Sequence, residues 1–201
     1  MRDSNNILEV AALSPDYMGF IFYEKSKRFV GSGFVIPERV PNHIKRVGVF
    51  VNENIVNILS KVAKHKLDFV QLHGEESVQM CKILKSRTKV IKVFRIDESF
   101  DFNSTTQFNS CADFFLFDTK GENYGGTGQT FDWNLLQKYD QQRPFFLSGG
   151  LSNENIHQLS ELKDLNIHAL DFNSGIESDP GMKDLDKLKS VLSILNQNSS
   201  Q

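Results

Sequence analysis

The residues best placed to do chemistry in this chain sit where apolar runs end. Asp118 closes the run "FFLF" and precedes "TKGENYGGTGQTFDW". Burial at such a position raises a carboxyl pKa and suits it to general-acid work, although it could equally cap the next loop or pair with Lys120. Two further run ends carry glycines: "FFLSGGLS" with Gly149 and Gly150, and "ALDFNSGIE" with Ser174 and Gly175. Glycines let backbone N–H groups approach an anion, and a helix starting after Ser152 would add positive partial charge. Each pair alone could be a tight turn; together they point to a phosphate site. Arg28 in "EKSKRF" could grip a carboxylate with its planar fork or sit in a solvated basic loop. His73 in "VQLHGEE" reads either as a ligand contact or as a strand terminus. Ser148 lacks the G-x-S-x-G frame of a nucleophile elbow. The five histidines show no HxxxH or HxH spacing, and Cys81 and Cys111 lack metal spacing, so no metal site is expected.

The elements that must carry these residues alternate. Runs at 17–23, 46–51, 68–73, 89–96, 113–118, 144–149 and 168–172 are short, apolar on both faces and rich in β-branched or aromatic residues. That is the pattern of strands buried in a parallel sheet. Between them, Ile55, Ile58, Leu59 and Val62 recur at helical spacing, as do Val78, Cys81, Ile83 and Leu84. "NENIHQLSEL" after Ser152 and the closing "DLDKLKSVLSIL" predict two more helices. No helix is expected between Arg28 and His43, and 98–110 is polar and weakly periodic. A βα repeat of roughly 20–30 residues predicts a parallel α/β architecture. The chain opens on a helix, with Asp3 and Ser4 as capping residues before Ile7, Leu8, Ala11 and Ala12.

Composition bounds the rest. With 201 residues, 39% hydrophobic and 24% charged, the chain reads as one soluble domain over 1–201. A net charge of −2 gives no reason to expect a nucleic-acid or membrane partner. The N-terminus has no apolar signal region, which points to the cytoplasm. Two cysteines in this length do not suggest a disulfide framework.

Six segments, in order and with matching spacing, resemble phosphoribosylanthranilate isomerases of tryptophan biosynthesis: "GFIFYEKSKRF", "RVGVFVN", "VQLHGEE", "DTKGENYGGTGQTFDW", "LSGGLSNEN" and "DFNSGIE". The resemblance implies a (βα)8 barrel and an Amadori rearrangement of a small phosphorylated substrate. It implies no metal or organic cofactor, and a monomer or homodimer. It implies Asp118 as general acid, Arg28 as the anthranilate-binding arginine, and Gly149, Gly150, Ser174 and Gly175 as the phosphate loops. His73 would line the site, and Gly125, Gly126 and Gly128 would form a lid before the helix capped by Asp132. The family's general base is a cysteine in a K-x-C-G motif on the first strand, and that motif is absent here. The expectation is a barrel without its first strand, from a truncated start or a short chain, with negligible activity as given. Alternatives are a non-catalytic phosphate-binding barrel or another sugar-phosphate isomerase or epimerase.

Overall fold

In the computed structural model, which describes residues 1–120 and 131–198, the seven predicted strands form one parallel sheet. They are β1 (Tyr17–Ile21), β2 (Lys45–Phe50), β3 (Phe69–Leu72), β4 (Lys89–Ile96), β5 (Phe114–Thr119), β6 (Phe145–Leu147) and β7 (Ile167–Leu170), each hydrogen-bonded to the next in chain order. Every pairing is parallel, with β4 and β5 in register from Ile91 opposite Phe114 to Ile96 opposite Thr119.

Alternation along each strand sorts side chains to two faces. One face packs Val47, Phe69, Ile91, Val93, Leu116 and Phe146 together, with Tyr17, Phe114 and Ala169 against them. Contacts among β1, β3, β6 and β7 within this cluster require the sheet to curl. Tyr17 of β1 lies edge-on to Phe69 at 5.6 Å and to Phe146 at 5.0 Å. Its hydroxyl is 2.7 Å from Nε2 of His168 on β7. The other face buries Phe20, Phe50, Val70, Leu72, Val90, Phe94, Phe115 and Phe117 under the helices. The fold is therefore a curled α/β sheet with an aromatic plug at the N-terminal ends of its strands.

The helices follow their caps. They are α1 (Ser4–Ala11), α2 (Ile55–His65), α3 (Val78–Lys85) and α4 (Leu185–Asn198). Asp3, Asn54 and Ser77 accept from backbone N–H groups at the starts of the first three. Four connections depart from α geometry and wind as 3-10 helices: Phe102–Phe108, Trp133–Lys138, Ile156–Leu162 and the single turn Ser174–Ile176. The weakly periodic 98–110 region thus holds a short helix, capped by Asp101. The helix placed directly after Ser152 begins at Ile156 instead; the Ser152 hydroxyl accepts from Glu154 N at 3.3 Å, and Asn155 gives no side-chain cap. A small antiparallel hairpin, β8 (Glu177–Asp179) with β9 (Met182–Lys183), follows β7 and has no counterpart in the apolar pattern. None of the described helices is long and apolar enough to cross a membrane.

Candidate active site

The inward positions change character from one end of the strands to the other. Reading toward the C-terminal ends, Phe69 gives way to Gln71 and His73, Phe114 and Leu116 to Asp118, Phe146 to Ser148, and Ala169 to Asp171. Aromatic and apolar residues fill the bottom, and titratable groups converge at the top, where strand ends meet the loops of a parallel fold. They border a cavity of about 350 Å³ that also touches Gly149, Gly150, Ser174, Gly175 and Lys183.

Asp118 is 7% exposed. Its Oδ1 accepts from Thr119 N at 2.9 Å, and its Oδ2 lies 3.3 Å from Nε2 of His73. The Nδ1 of His73 is 3.2 Å from the side-chain amide of Gln71. Lys120, the internal partner considered for Asp118, pairs with Asp97 instead. Across the cavity the Ser148 hydroxyl donates to Asp171 at 3.1 Å. Burial and the neighbouring Asp118 push the Asp171 carboxyl above the usual carboxylate range, against the opposing pull of Lys183.

The glycine loops are shaped by contact as well as by turn geometry. Gly149 and Gly150 adopt φ of +88° and +70°, in the region that disfavours side chains. A Cβ on Gly149 would sit 2.3 Å from Thr119 Oγ1 and 3.1 Å from Asp118 Oδ1. This loop therefore lies directly against the carboxylate. A Cβ on Gly175 would meet the Leu151 carbonyl at 2.1 Å, so the loops after β6 and β7 are pressed together. Asn155 fastens the first of them, donating to Gly150 O at 2.9 Å and accepting from Ser152 N at 3.0 Å.

Arg28 is placed differently from the other candidates: the lining of the cavity does not include it. Its Nε donates to both oxygens of Glu177, at 3.0 and 2.8 Å, and its Nη2 lies 2.7 Å from Oε2. The fork that could grip a ligand carboxylate thus grips an internal one. Lys183 adjoins the pair at 3.4 Å from Glu177 Oε1, and donates to Asn173 O at 3.0 Å. Burial alone would push the Glu177 carboxyl up, but hydrogen bonds from Arg28 and the charges of Lys183 and Arg28 outweigh it and hold it low. For Lys183 burial dominates and lowers the ammonium pKa despite Glu177 and Asp171.

Gln71, Asp171, Glu177 and Lys183 escape a reading by run ends. Gln71 lies inside a strand, where its polarity amid "FVQLH" was the available signal, and Asp171 precedes the last residues of its run. Glu177 and Lys183 sit on the hairpin that the pattern did not reveal. Cys81 and Cys111 are fully buried on the outer face, where the Cys81 thiol donates to the Cys111 carbonyl at 2.8 Å. The glycines at 125, 126 and 128 lie outside the described residues.

A curled parallel sheet with an acid and an imidazole at its strand C-termini, beside two glycine loops, defines a barrel-type α/β protein with an acid–base pocket. Residues 1–193 match the family model described as N-(5'phosphoribosyl)anthranilate (PRA) isomerase. An N-(5'-phosphoribosyl)anthranilate isomerase of Parabacteroides distasonis is 43% identical over 203 aligned positions, covering 96% of this chain and 89% of the relative. The crystal structure of phosphoribosyl anthranilate isomerase from Thermotoga maritima superposes with a TM-score of 0.83 at 35% identity, covering 96% of this chain and 94% of that one. A structure of the same enzyme type in complex with reduced 1-(o-carboxyphenylamino)-1-deoxyribulose 5-phosphate gives 0.80 at 32% identity, covering 96% and 93%. The chain belongs to the N-(5'-phosphoribosyl)anthranilate isomerase family.

Proposed function

We propose that this chain serves tryptophan biosynthesis in the cytoplasm, as a monomer or homodimer, by isomerising N-(5'-phosphoribosyl)anthranilate to 1-(2-carboxyphenylamino)-1-deoxyribulose 5-phosphate. The observation that carries the assignment is the cluster at the top of the sheet. One largely buried carboxylate, Asp118, faces an imidazole at 3.3 Å and abuts a glycine loop of positive φ.

The chemistry distributes over these groups as follows. Asp118 gives its proton to the ribose ring oxygen; the C1'–O bond breaks and the nitrogen lone pair forms the Schiff base. A base then removes the C2' proton, leaving an enolamine that tautomerises to the ketone, so the reaction is redox-neutral and needs no external electron acceptor. His73, whose Nε2 lies 3.3 Å from Asp118 Oδ2 without meeting hydrogen-bond geometry, is within reach to take up or return the carboxyl's proton. The N–H groups of the loops at Gly149–Gly150 and Ser174–Gly175 receive the phosphate, which is compatible with their crowded, side-chain-free approach. Arg28, held by Glu177 in this structure, would have to release that carboxylate to bind the anthranilate carboxylate.

The family's thiol base has no counterpart among the described residues. Neither cysteine borders the cavity, and no K-x-C-G run occurs. The fold offers a place for it. β1 and β7 are the two edges of the sheet, and the cavity is also lined by Met18 and Gly19 of β1, Leu170 of β7 and Val191 and Leu195 of α4. On this reading an eighth parallel strand bearing K-x-C-G would lie between these edges, close a (βα)8 barrel and bring a thiol to the same rim as Asp118. The test is an isomerase assay, followed by anthranilate fluorescence, on the 201 residues alone and on the same chain preceded by a K-x-C-G strand. Negligible turnover for the first and enzymatic turnover for the second are expected; normal turnover by the 201 residues alone would remove the thiol from the mechanism.

A further inference from the structure

A buried ion pair that touches neither the cavity nor the phosphate loops encloses the backbone of His73. Lys92 and Glu76 have side chains only 5% and 1% exposed, on the helix-facing side of the sheet, with Nζ and Oε2 2.9 Å apart. Their remaining bonds converge on one short segment. Glu76 Oε1 accepts from Asn52 N at 2.9 Å and from Gly74 N at 3.0 Å, and Oε2 accepts from Gly74 N at 3.0 Å. Lys92 Nζ donates to Gly74 O at 2.6 Å and to Leu72 O at 3.4 Å. The peptides on both sides of His73 are therefore held by this pair, while His73 N donates to Phe50 O at 2.8 Å. The packing is tight, since a Cβ on Gly74 would meet Asn52 Oδ1 at 2.4 Å and Asn52 N at 2.8 Å.

Stability alone does not account for such a pair. Taking both charges out of water is costly, and apolar residues of similar volume commonly serve a core as well or better. What an apolar pair could not do is satisfy the carbonyls of Leu72 and Gly74 and the N–H groups of Asn52 and Gly74 together. We infer that Glu76 and Lys92 are positioning residues that fix the His73 backbone so that its imidazole addresses Asp118. The inference rests on the proposed partnership of His73 and Asp118. It extends that partnership from the ends of β2 and β3 to the middle of β4, to residues outside the cavity lining.

The experiment reads the ring nitrogens of His73 by nitrogen-15 NMR in the full 201-residue chain, where no turnover is needed. Asp118→Asn defines the shift produced when the imidazole loses its carboxylate partner. Glu76→Gln is expected to give at least half of that shift, whereas Lys85→Met, which removes a more exposed ion pair with Asp113, leaves the ring unchanged. Should Glu76→Gln fail to fold, Glu76→Gln/Lys92→Met removes both charges together, and the same shift is expected. In the strand-bearing enzyme Glu76→Gln should lower kcat about tenfold with KM within twofold. Wild-type ring shifts in whichever of these variants folds, with only the melting temperature reduced, would make the pair merely structural and overturn the inference. If Asp118→Asn itself leaves the ring unmoved, the underlying partnership fails, and the inference falls with it for that separate reason.

Discussion

Asp171 shows how a single buried carboxyl in the site bears on stability. Part of its surface reaches the cavity, yet burial and the facing Asp118 raise its pKa above the ordinary 3.8. The folded state therefore holds the proton more tightly than the unfolded chain. The stabilising contribution is present below about pH 3.8 and is lost as pH rises through the folded-state value, above which the residue opposes folding. Asp171→Asn keeps an acceptor for the Ser148 hydroxyl and removes that opposition. The variant should melt higher than wild type at pH 7, by about 2–4 °C for each kcal/mol relieved, with the difference shrinking on acidification. Calorimetry across pH checks this; a gain that persists unchanged at pH 3 would mean the charge is not its source. At this scale the sequence was informative where a polar residue ended an apolar run, as with Asp118 and His73. It was silent where function depends on a partner brought from far away: Glu177 lies 149 positions from Arg28, and no spacing rule connects them.

At the level of elements, the seven strands were legible because a sheet covered on both faces demands continuous apolar runs, and each run has one strand in it. The helices α2 and α3 were legible from period 3.6 and their caps. The connection at 102–108 was not, and those at 133–138 and 156–162 were legible as helices from Asp132 and Ser152 but not as 3-10 helices, for a physical reason. Their inward residues recur every three positions: Phe102, Thr105 and Phe108; Trp133 and Leu136, continued by Tyr139; Ile156, Leu159 and Leu162. Three per turn is the 3-10 repeat, which a search for 3.6 scores as weak. The glycine loops belong to this scale too. Gly149→Ala would place a side chain at φ +88° and 2.3 Å from Thr119 Oγ1. A loss of about 1–3 kcal/mol is expected from the backbone strain alone. Affinity for inorganic phosphate, measured by calorimetric titration, should fall in parallel. An alanine variant of native stability and phosphate affinity would show the loop to be an ordinary turn.

For the whole molecule the open question is closure of the sheet. The edges β1 and β7 approach closely at the bottom, where Tyr17 meets His168 at 2.7 Å, but they do not pair as strands. Unpaired edges expose a row of backbone donors and acceptors that invite association. The 201 residues alone should therefore aggregate at lower temperature than the same chain with a K-x-C-G strand supplied, and light scattering during a thermal ramp measures the difference. Equal onset temperatures would argue that the edges are already satisfied. The family was readable from six short motifs because their order and spacing together are specific where each alone is weak.

The claim on which the account turns is that Asp118 delivers the proton. The most direct measurement compares turnover and substrate affinity of the strand-bearing enzyme with and without Asp118→Asn. Loss of a positioned general acid costs about 10²- to 10⁴-fold in rate. A kcat reduced by that order is expected, with the affinity for N-(5'-phosphoribosyl)anthranilate changed only a few-fold. Near-normal turnover by the asparagine variant would contradict it.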